Sequence, residues 1–197
     1  MRRIAFLVST VALVVALTGA GAQAAGPGLA NLLVHNGDVK GFVLNGKVET
    51  ASTPARFVRN IYKETGTGAA SATAKLRHEG FTGGASEFLT AAHGLGASQV
   101  WAFKDRADAR AFLLETLARA KHQLPKGSKV RTVKVDLSGA HVFVAVGSTL
   151  SEADAYILAG HCMLFVGDQI AGSGSVAAAP VVAGSRVVVG RARSVCG

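Results

Sequence analysis

The chain has 197 residues, a formal charge of +9 and two cysteines. That length holds one domain with a sizeable core, and the cysteines are too few for a small disulfide scaffold. The positive balance favours encounters with anionic surfaces such as lipid head groups or cell-wall polymers, which is a statement about attraction and not about specific recognition.

Residues 1–24, "MRRIAFLVSTVALVVALTGAGAQA", begin with Arg2 and Arg3, continue through a largely apolar stretch from Ile4 to Leu17 and end in Ala22-Gln23-Ala24. This is the pattern of a secretory signal peptide, and the apolar stretch is too short for a membrane span of about 20 residues. No cysteine stands near the cleavage point to carry a lipid anchor, and no later segment is apolar enough to cross a bilayer. Removing the leader's two arginines leaves +7. The expectation is a secreted or extracytoplasmic protein, in the periplasm or cell wall, with one domain over 25–197 whose first residues, 25–33, form a flexible lead-in.

"GFVLNGKVE" reads as two short strands in a hairpin around Asn45-Gly46. A helix follows, with Thr53 as its cap, Pro54 at its first position and Phe57, Val58, Ile61 and Tyr62 on one face. A second, from Ser71 to Glu79, stops at Gly80. "FTGGASEFLTA" and "ASQVWAFK" read as strands divided by a glycine-rich turn. The clearest helix runs from Asp105 to Leu124, its apolar stripe including Ala109, Phe112, Leu113, Leu117 and Ala120 at helical spacing, with Pro125 and Gly127 after it. "VRTVKVDL" and "AHVFVAVG" are strands joined at Ser138-Gly139. "HCMLFV" and "QIAGSGSV" read as a hairpin around Gly167-Asp168. The tail "PVVAGSRVVVGRARSVC" admits strand or helix, with helix favoured by Pro180 at its start. Strands with a few helices in a chain of this size give an α+β fold: a mainly antiparallel sheet with helices packed on one face.

Cys162 and Cys196 stand 34 positions apart, and in an oxidising compartment such a pair becomes a disulfide. Closing that loop stabilises the fold by about 3–4 kcal/mol on the chain-entropy account. A redox pair would sit closer in sequence, and a thiol nucleophile would need a histidine that the adjacent His161 cannot supply from a strand. The six histidines show no metal-ligand spacing, so no metal or other cofactor is expected. "GFVLNGKV" places two glycines and a lysine as a phosphate loop does, but Val48 stands where Ser or Thr must hold magnesium. No serine completes Gly-x-Ser-x-Gly. Arg119, Lys121, Lys126, Lys129, Arg131 and Lys134 form a basic run without an acid among them. They are candidate anion-binding residues or a solvated face. Few aromatics are free to stack on bases, which argues against nucleic acid.

From Leu76 on, "LRHEGFTGGASEFL", "GASQVWAFKDRADARAFL" and "CMLFVGDQIAGSGSV" follow one another in an order that resembles uncharacterised secreted α+β domains of bacterial cell-envelope proteins, including lipoproteins and some kinase ectodomains. The shared motifs are structural, so no catalytic residue carries over. The resemblance implies a non-enzymatic binding or sensing module for a ligand or envelope partner. The alternatives are a protein that binds polyanions or anionic lipid surfaces through the basic run, and a hydrolase or thiol enzyme without a recognisable motif.

Overall fold

The computed structural model describes residues 28–91, 94–124 and 126–197, with only the backbone of Lys121. The expected leader, residues 1–24, and Pro125 lie outside them. Eight strands form one antiparallel sheet: β1 (Val43–Leu44), β2 (Glu49–Ala51), β3 (Phe81–Thr90), β4 (Leu95–Phe103), β5 (Lys129–Val133), β6 (Ala140–Val146), β7 (Leu150–Ala159) and β8 (Cys162–Ala171). Their order is β1-β3-β4-β8-β7-β6-β5, with β2 also paired to β3. The helices are α1 (Pro54–Asn60), α2 (Gly66–His78), α3 (Arg106–Gln123) and α4 (Ala178–Ala192). The α+β class and the antiparallel sheet are as the sequence implies.

α1 and α3 start at side-chain caps. Thr53 accepts a hydrogen bond from the Arg56 N–H and Asp105 from the Asp108 N–H, each satisfying a donor that the first turn leaves open. The register assigns each residue to a face. Trp101 pairs with Met163 and Leu158 with Met163, while Val100 pairs with Leu164 and Leu164 with Ile157, so alternate residues of β4, β7 and β8 point to opposite sides. One side is aromatic: Phe57 of α1, Leu76 of α2 and Phe112 of α3 pack with Phe81, Trp101, Phe103, Tyr156 and Phe165. The other is aliphatic, where Val181, Val188 and Ala192 of α4 cover Val100, Leu164, Val166 and Ile157. A Cβ on Gly184 would stand 3.0 Å from Val166 Cγ1, so a glycine lets α4 lie close on the strands. The one-face expectation therefore holds for α1, α2 and α3, while α4 takes the opposite side.

Four local readings change. The lead-in expected to be flexible over 25–33 is seated from residue 28 on: Leu29, Leu32 and Leu33 are buried against the α4 side. It is held by Arg191, which donates to the Leu33 carbonyl at 2.6 Å and forks onto Asp38 at 2.7 and 2.8 Å. β1 and β2 do not pair with each other. Both run antiparallel to β3, Val43 opposite Thr90 and Glu49 opposite Ser86, as one edge strand interrupted at Asn45-Gly46. Gly46 has φ +104°, so the Asn-Gly signal marks an irregular step in that edge and not a reversal. α2 begins at Gly66, five residues before the expected Ser71. Finally, β8 runs straight through Gly167-Asp168. The hairpin turn lies at Gly160-His161, and the strand before it, β7, is one that the sequence reading leaves unassigned.

Candidate functional site

β7 reads Glu152-Ala153-Asp154-Ala155-Tyr156. On a strand this alternation puts both acids and the tyrosine on one face and the alanines on the other. Ala153 and Ala155 lie in the aliphatic core, so Glu152, Asp154 and Tyr156 face the aromatic side. The register then defines transverse rows on that side. Ser86, Gln99, Phe165, Tyr156 and His141 form one; Phe88, Ala97, Gly167, Asp154, Phe143 and Thr132 form the next; Thr90, Leu95, Gln169, Glu152, Ala145 and Val130 form the last.

The row of Asp154 is shallow at its centre, where Ala97 and Gly167 stand, and carries Phe88 and Phe143 on either side. Asp154 is 6% exposed and Phe88 41% exposed, so a buried acid and an accessible ring share one row. Gly167 is required by side-chain room and not by turn geometry. A Cβ there would lie 2.6 Å from Asp154 Oδ1 and 2.4 Å from Phe165 Cζ. Tyr156 donates its hydroxyl to Asp154 Oδ2 at 3.5 Å and its ring stacks on Phe143, with centroids 5.9 Å apart. Ser86 Oγ, in the neighbouring row, is buried without a hydrogen-bond partner.

The electrostatics follow from burial. Loss of solvation, with the charge of Glu152 adding to it, holds the Asp154 carboxyl well above the usual carboxylate range. Burial raises Glu152 as well, and burial together with the negative charge of Asp154 raises Tyr156. Among the described residues no cation pairs with Asp154. The site can therefore offer a neutral carboxylic acid as donor, or take up a cation by releasing a proton, beside aromatic surface.

The cysteines meet as expected. Cys162 at the head of β8 and Cys196 beyond α4 are bonded, with Cα atoms 5.6 Å apart. The His161 N–H donates to the Cys196 carbonyl at 2.9 Å, so the bond and this contact fasten the chain end to the sheet. Both sulfurs are used in this bond.

The basic run is spread over α3, the segment after it and the region of β5. Arg119, on α3, is ion-paired with Glu115, which also receives Lys75. Lys121 follows on the same helix. Lys126, Lys129, Arg131 and Lys134 are exposed on and around β5. Arg131 pairs with Val144, a residue of the aliphatic side, so Lys129 and Arg131 point to the α4 side of the sheet, away from the side that α3 covers. Among the described residues no group of three or more His, Cys, Asp and Glu is placed to hold a metal ion.

No protein-family model matches the chain, and no curated protein sequence matches it. Among solved structures it is similar to the extracellular domain of PknH from Mycobacterium tuberculosis, with a TM-score of 0.52 and 14% identity over 84% of this chain and 95% of that one. At that identity the likeness is one of fold, and it agrees with the resemblance to kinase ectodomains carried by the sequence.

Proposed function

We propose that the protein is a non-enzymatic extracytoplasmic module that binds a ligand or partner of the cell envelope on the aromatic side of its sheet, around Asp154. The observation that carries this reading is the buried Asp154 carboxyl, which has no cation paired with it among the described residues and shares a row with Ala97, Gly167 and the exposed Phe88. Such a group costs stability, and proteins keep costs of this kind mainly where binding or chemistry uses them. The disulfide supports an oxidising compartment, and no helix among the described residues is long and apolar enough to cross a membrane. The fold shared with an extracellular kinase domain suits a sensing or binding role.

The test is a thermal-shift screen of envelope lipids, cell-wall fragments and small amines, followed by titration of each hit against Asp154→Asn and Glu152→Gln. Saturable binding that weakens at least about tenfold in Asp154→Asn is expected. Hits that bind both variants as tightly as the parent, or that are chemically converted, would overturn the reading.

A further inference from the structure

β5 is the outer strand of the sheet, and nothing pairs with its far edge among the described residues. Such an edge presents a row of unpaired backbone donors and acceptors, and proteins blunt it with prolines, bulges or charges. β5 has no proline, and its register with β6 is continuous from Lys129 opposite Val146 to Val133 opposite Val142. Only charge guards it: Lys129 and Arg131 on one side, with Lys126 and Lys134 flanking, all exposed and in no ion pair among the described residues. The other side of the strand carries Val130, 51% exposed, and Thr132.

We infer that the β5 edge receives an extended acidic segment of another protein as an added strand, with acidic side chains over Lys129 and Arg131 and apolar ones over Val130 and Thr132. The alternation sets the partner's pattern, since cross-strand neighbours lie on the same side of a sheet. The charges also select against the obvious competitor. Two copies of β5 paired antiparallel would set Lys and Arg against Lys and Arg, a repulsion an acidic strand turns into attraction. Val130 and Thr132 end the rows that hold Glu152 and Asp154, so an added strand would extend the same side of the sheet. This inference stands apart from the reading of the Asp154 site.

The test uses isotope-labelled full-length mature protein and three capped peptides: alternating Glu and Val, the same peptide N-methylated at every second residue, and alternating Lys and Val. Expected are shift changes and amide protection confined to residues 129–133 with the Glu-Val peptide, at least about tenfold weaker binding of the N-methylated peptide, and weakening with salt. The double variant Lys129→Glu/Arg131→Glu, which alters only exposed side chains, should reverse the preference towards the Lys-Val peptide. Equal binding of the methylated and parent peptides would show plain charge attraction and overturn the inference. So would protection centred elsewhere, absence of binding, or an unchanged preference in the double variant.

Discussion

Asp154 of β7 and Gly167 of β8 are cross-strand partners, and the carboxyl of one fills the space that a side chain on the other would need. A methyl group at residue 167 would meet Asp154 Oδ1 at 2.6 Å and Phe165 Cζ at 2.4 Å. Neither can retreat freely, because Asp154 is buried and Phe165 packs on the Tyr156 ring at a centroid distance of 4.9 Å. Gly167→Ala should therefore cost about 1–3 kcal/mol in urea unfolding. The double variant Gly167→Ala/Asp154→Ala should recover part of that loss, giving a coupling of at least about 0.5 kcal/mol between the two sites. Strict additivity would show that the carboxyl does not occupy this space.

The charge of the same carboxyl gives a second expectation. Its folded pKa is raised by burial and by Glu152. A raised acid stabilises the fold fully below its unfolded value, and that contribution is lost as pH rises through the folded value. The parent loses it progressively as pH rises above the unfolded value, whereas an amide titrates nowhere in the range. Asp154→Asn should thus be more stable than the parent at pH 7, by about 1–3 kcal/mol, and nearly equal to it at pH 4. Stability gained together with ligand affinity lost would mark Asp154 as a group retained for binding. Urea midpoints at the two pH values decide it.

Both features escape a reading of the sequence, for physical reasons that particular residues make plain. Gly167-Asp168 has the composition of a turn, and composition cannot distinguish a glycine that needs a special φ from one that needs an absent side chain. β7 hides because its acids sit where strand propensity is poor, although the strict alternation Glu152-Ala153-Asp154-Ala155-Tyr156 was the available signal. Asn45-Gly46 misleads in the same way, since the sequence shows the irregularity but not which strand β1 and β2 pair with. By contrast, the cap at Thr53, the stripe on α3 and the Cys162–Cys196 pair are local or compartment-driven, and these are legible. The basic run shows in the sequence, but its division between α3 and the β5 edge depends on where the sheet places β5.

The disulfide closes a separation of 34 residues that includes β8 and α4. Removing it with Cys162→Ala/Cys196→Ala should lower stability by about 3–4 kcal/mol, on the account in which the bond acts by restricting the unfolded chain. The loss should come with faster amide exchange after Ala192, because the chain end would then be held by the His161–Cys196 backbone hydrogen bond and local packing. Reduction of the parent should reproduce both effects. A stability change below about 1 kcal/mol would mean that packing alone fixes the chain end.

On the aliphatic side Glu87 is fully buried beneath the 28–42 segment, its two oxygens without hydrogen-bond partners and His35 Nδ1 3.9 Å away. Burial, with the charge of Asp38 adding to it, pushes its carboxyl up to about 8 from an ordinary 4.5. The fold therefore holds Glu87 protonated at neutral pH, and the stability this gives is complete below 4.5 and lost as pH rises through 8. Ionisation would place a second negative charge near Asp38, whose pairing with Arg191 helps seat Leu33 and its neighbours. Above pH 8 the segment over 29–34 should lose amide protection before the sheet does. Glu87→Gln keeps the shape without the titration. It should come within about 1 kcal/mol of the parent at pH 5, exceed it by about 5 kcal/mol at pH 9, and retain protection over 29–34 there. Parent and variant curves that run parallel from pH 5 to pH 9 would show that Glu87 is already ionised in the folded protein at neutral pH, with a cation or water supplying the partner it lacks.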